Sequence, residues 1–76
     1  MFDERKVKRL KEMYPAGTRI QLDHMDDPFH PVASGTMGTV KLVDDAGTIH
    51  MSWDSGSSLG LCPGSDEFHV IRKAGN

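Results

Sequence analysis

Apolar residues in the first fourteen positions recur with a helical period. Val7, Leu10 and Tyr14 fall at i, i+3 and i+7 on one face, and charged side chains cover the rest. This spacing predicts a helix from Phe2 to Tyr14. Asp3 and Glu4 lie in its first turn and Lys11 near its last, as the helix dipole prefers. Pro15 and Gly17 end it.

From Gly17 onward the period changes to two. "TRIQL" places Ile20 and Leu22 on one side, and "TVKLV" does the same with Val40 and Leu42. "TIHMSW" sets Ile49, Met51 and Trp53 against Thr48, His50 and Ser52. "SSLGL" alternates on Leu59 and Leu61, and "FHVIR" on Phe68 and Val70. Five short strands are predicted, with these apolar residues as the core. "DDAG" and "DSG" supply tight turns, so strands two to four form an antiparallel meander. "DHMDDPFHPVASG" carries two prolines and no period, and reads as a long loop. "PGSDE" suits a single helical turn. A long loop after the first strand and a helical turn before the last match a small SH3-like five-stranded antiparallel barrel. An open five-stranded sheet packed on the helix is the alternative. The chain divides into an amphipathic helix (1–14), a small β domain (15–73) and a tail (74–76). Trp53 ends a strand on its inward face, so "WDSG" reads as a hairpin at the core's edge. Tryptophan is seldom fully buried, so Trp53 can close the core and still show one ring edge to a partner.

Size and charge narrow the picture. With 76 residues the chain can build one modest core, so association into a homodimer is compatible with its size. The net charge is −2, which argues against a general binder of nucleic acid. The balance is uneven: residues 1–14 carry a net +2, and the remainder a net −4. Cys62 is the single cysteine, so neither an intrachain disulfide nor a cysteine-rich zinc site can form. No apolar run matches a signal peptide or a membrane span. The expected setting is cytoplasmic, away from membranes.

Several short motifs stand together between Tyr14 and Ile71. They are the "YPAGTR" opening, the "MDDP" loop, "GTMGTV", "VDDAG", "WDSGSSL" and the "PGSDE" close. As a set they resemble a small bacterial and phage domain family of unknown function. Ser55 stands where the family more usually has Asn, a change that affects only turn preference. The resemblance implies a small domain of phages, plasmids and other mobile elements. It carries no catalytic or ligand residues over to this chain.

The candidate chemistry is sparse. His24, Asp26, Asp27 and His30 are all metal-ligand types, but a proline-flanked loop lacks the rigid support that tight sites need, so no metal is expected. His50 and His69 occupy outward strand positions. Cys62 with a histidine, or Ser55, Ser57 or Ser58 with Asp54 and His50, lacks the strained turn of a nucleophile. "GTMGTV" lacks the lysine and the following helix of a phosphate loop. The reading is a non-catalytic protein without cofactors. A protein-binding module is the leading class. Its expected site combines the His24–His30 loop, with Met25 and Phe29 rimmed by Asp26 and Asp27, and the Trp53–Asp54 corner. Acids around apolar residues suit a basic or proline-containing segment. In the competing reading, Phe29 folds back as a plug. Nucleic-acid binding is the alternative and would rest on Arg5, Lys8 and Arg9. A third class is an anti-defence protein that covers a host factor or sequesters a nucleotide signal.

Overall fold

The computed structural model describes residues 3–26 and 32–75. Asp27, Phe29 and His30 of the expected site lie outside these residues. One helix precedes four strands among them: α1 (Glu4–Met13), β1 (Arg19–His24), β2 (Met37–Val43), β3 (Ile49–Trp53) and β4 (Glu67–Arg72). The strands form one antiparallel sheet in the order β3-β2-β1-β4. No helix among the described residues is long and apolar enough to cross a membrane.

The helix starts where its sequence provides a cap. The Asp3 carboxylate accepts from the Arg5 N–H at 3.0 Å. At the other end the Tyr14 N–H donates to the Leu10 carbonyl, and Pro15 follows. No helical residue is fully buried, so packing against the sheet must hold α1 in place. Leu10 and Tyr14 pack against the core, and Tyr14 meets Phe68 edge-on at 5.5 Å. Gly47, beside Leu10 and Val7 in the β2–β3 turn, takes a φ of +83° that L side chains rarely adopt. Lys11 also donates to Asp45 in that turn.

One sheet face holds the core. Ile20, Leu22, Val40, Ile49, Met51, Trp53 and Leu61 are buried there, with Met25, Val32 and Val43. Gly38 makes room for the indole. A Cβ at this position would stand 2.6 Å from Trp53 Cε3, closer than carbon atoms approach.

Three sequence expectations fail: Leu42 and Val70 are not in the core, and there is no fifth strand among the described residues. Leu42 is 52% exposed, and Val43 takes its place in the core. The β2–β3 register slips between Val40 and Leu42, so that Leu42 pairs with His50 and Val43 with Ile49. Lys41 is the extra residue of this bulge, and it inverts the alternation beyond it. The fifth strand is also missing, and with it the closed barrel. Residues 57–61 run along the free edge of β3 but bond to it only at their ends, through Ile49 with Leu61 and through the Trp53 N–H to the Ser57 carbonyl. The rung due between them fails because side chains have taken the backbone of Leu59. Its N–H donates to Ser57 Oγ, and its carbonyl accepts from the Trp53 indole N–H at 2.7 Å. Leu59 is thus only partly buried, as is Phe68, whereas Val70 on the terminal strand stays 38% exposed.

Candidate loop-end site

Antiparallel pairing brings three connections to the same end of the sheet. The loop leaving β1 after His24 returns to β2 at Met37. Because Gly38 pairs with Trp53, the turn after β3 lies beside that return. The Asp54 N–H donates to the Met37 carbonyl at 2.9 Å. His24 pairs with Glu67, so the 62–66 turn ends there as well.

A carboxylate joins two of these connections. Asp66 Oδ1 accepts from the Asp26 N–H and Oδ2 from the Cys62 N–H, both at 2.9 Å. The Ser65 and Asp66 N–H groups in turn donate to the Cys62 carbonyl. Asp66 therefore closes its own turn and pins the start of the β1–β2 loop. Where that loop re-enters the core, the Val32 N–H donates to Met25 Sδ at 3.4 Å, and both residues are buried.

Between the pinned segments lies an open hollow of about 400 Å³. Met25 and Leu59 line it with apolar surface, and Asp26, Cys62, Ser65 and Asp66 supply its polar lining. Among the described residues no cationic side chain lines it. Cys62 is exposed and free.

The structure divides the residues expected at this site. Met25 and Asp26 reach the hollow, one as floor and one as rim. His24 is the exposed last residue of β1 rather than part of the loop. Trp53 stands at the right end but is only 3% exposed, with its indole N–H committed to Leu59. Of the two readings left open for Trp53, the structure has the core one: the indole supports the hollow's Leu59 wall from behind. Asp54 turns to the opposite sheet face, where both its oxygens meet the Arg19 guanidinium at 2.7 and 2.8 Å. That hydrogen-bonded pair holds the Asp54 carboxyl below the ordinary carboxylate range and raises Arg19 further. Arg19 also donates to Thr39.

Leu59, Cys62, Ser65 and Asp66 were not expected at the site. An aspartate four residues after Cys62, across a Pro-Gly turn, is the one signal that pointed to them. Such a carboxylate can reach back to backbone N–H groups. Among the described residues, no group of three or more His, Cys, Asp or Glu side chains is placed to hold a metal ion. Arg5, Lys8 and Arg9 are exposed on α1, away from the hollow.

One short helix on a four-stranded antiparallel sheet, with a loop-built hollow at one end, defines a small, mainly β domain. A family model described as a domain of unknown function (DUF4314) matches residues 3–71, and the chain belongs to that family. No curated protein and no solved structure matches it.

Proposed function

We propose that this domain is a non-catalytic, protein-binding module of a bacterial mobile element or phage. It acts in the cytoplasm and takes a basic partner segment at its loop end. The observation that carries the reading is the hollow where three connections meet, with apolar surface from Met25 and Leu59 and a rim of carboxylates. An apolar side chain of the partner fits the floor, and a neighbouring lysine or arginine meets Asp26. The same rim argues against sequestration of a nucleotide signal, since phosphate would face Asp26 and Asp66 with no cation beside them among the described residues.

The test is capture of partners from bacterial lysate, divided into nuclease-treated and untreated halves. The parent domain should retain a protein partner after nuclease treatment. Asp26→Ala should weaken that capture about tenfold, while Asp45→Ala, at the opposite end of the sheet, should leave it intact. Equal capture by both variants sinks the proposal. Nucleic-acid binding is the second reading, because Arg5, Lys8 and Arg9 are exposed and enter no salt bridge among the described residues. Capture lost on nuclease treatment, with a steep dependence on salt, would favour it.

A further inference from the structure

β4 is the terminal strand of the sheet, and among the described residues its outer edge has no partner strand. It is also the least buried strand: of its six residues, only Phe68 is not exposed. Phe68 and Val70 face the core side, opposite Leu22 and Ile20. The apolar layer is not closed there. A hollow of about 450 Å³ opens between Met13 and Tyr14 on the helix side and Val70 and Lys73 on the strand side. On the other face, the His69 ring donates from Nδ1 to Asp23 Oδ2 at 2.8 Å. Ile71 is the extra residue of a bulge, 42% exposed, and Arg72 beyond it pairs with Arg19.

Natural sheets usually protect such an edge with inward charges, lysine, proline or a bulge, and of these the middle of β4 has only the bulge at Ile71. The middle of this one is Phe68-His69-Val70-Ile71, with formal charges only at its two ends, Glu67 and Arg72. The ends are of opposite sign, and that makes the strand complementary to itself run backwards.

We infer that β4 pairs antiparallel with β4 of a second copy, joining two four-stranded sheets into one of eight strands. Centred on His69, this pairing sets Phe68 opposite the partner's Val70 on the core side, twice by symmetry. On the other face it sets Glu67 opposite the partner's Ile71–Arg72 bulge, again twice. Unlike charges meet at both ends, and like charges meet at neither. The partner strand covers the exposed side of Val70 and turns the hollow beside Tyr14 into an enclosed space between subunits. The argument uses no residue that lines the loop-end hollow, so the two proposals stand or fall separately.

Sedimentation velocity on the full chain, from low micromolar to millimolar, should show a reversible dimer. Glu67 and Arg72 are exposed, so reversing either charge leaves the core untouched. Glu67→Arg or Arg72→Glu should each raise the dimer dissociation constant about tenfold, because two unlike contacts become two like ones. The double variant Glu67→Arg/Arg72→Glu should restore it. Asp26→Ala should dimerise like the parent. A parent that stays monomeric up to millimolar concentration overturns the inference, as does a dimer indifferent to both single reversals. Circular dichroism on each variant confirms that the fold is retained. If either single variant unfolds, the restoring double variant decides, and a monomeric double variant counts against the pairing.

Discussion

The two edges of the sheet are finished differently. At the β3 edge, Ile49, Met51 and Trp53 are buried, and residues 57–61 lie alongside, tied down at Leu61 and Ser57. At the β4 edge, no strand among the described residues pairs alongside, and Val70 is left 38% exposed. The chain has spent its covering segment on the edge with the larger side chains. The covering segment reaches one edge only, and apolar surface of Val70 and Ile71 is left exposed at the other.

The sharpest way to break this contrast is to empty the finished edge. Trp53→Ala removes a buried indole, frees the Leu59 carbonyl and leaves a cavity under Gly38. It should cost about 3–5 kcal/mol, a large part of the stability of a domain this size. Urea or thermal unfolding measures it, and a loss below about 1 kcal/mol would mean that the 57–61 segment does not depend on the indole.

The matching change at the open edge is Val70→Ala. In dilute solution it should cost no more than about 1 kcal/mol, since the side chain is already partly in water. The cost should grow with protein concentration if a second copy covers the strand. A concentration-independent Tm for the parent would weigh against that cover.

The smallest effects concern acid. Asp54 is held below the ordinary carboxylate range, first by its hydrogen bonds to Arg19. Asp44 in the β2–β3 turn is lowered too, first by the His50 ring and then by the backbone N–H groups of Thr48 and Ala46. A depressed folded-state pKa means that each group's contribution is fully present above the unfolded carboxylate value. It is lost as pH falls through the lower, folded-state value. Parent stability should therefore decline on acidification through that window, and Asp54→Asn and Asp44→Asn should each flatten the decline slightly. A variant whose acid profile matches the parent's would show its ion pair to be idle, as many exposed pairs are.

Much of the fold was legible because period two and period 3.6 are simple records of burial. The helix, the four strands and most of the expected inward positions follow from them: Ile20, Leu22, Val40, Ile49, Met51 and Leu61 are buried, and Leu59 and Phe68 are half-buried. Leu42 failed because a bulge at Lys41 leaves no mark in composition; it shows only in the register between strands. The fifth strand failed because Ser57 Oγ and the Trp53 indole compete for backbone that alternation assigns to a ladder. At the site, Met25 and Asp26 were found by looking for a long loop. Asp66 was missed because its role is set by backbone N–H groups forty residues away at Asp26, and pattern within one segment cannot report that.

The strand order carries a consequence for how the sheet assembles. Val43 meets Ile49 across a short turn, whereas Arg19 must find Arg72 from the far end of the chain. Closing the longer loop costs more chain entropy, and non-local pairing is slow. The β2–β3 hairpin is then the early structure, and docking of β4 on β1 the late one. Until it docks, the β1 edge beside Ile20 and Leu22 is the segment most open to pairing with the wrong chain. Substitutions that strengthen only the β1–β4 seam should act mainly by slowing unfolding, and leave the folding rate nearly unchanged.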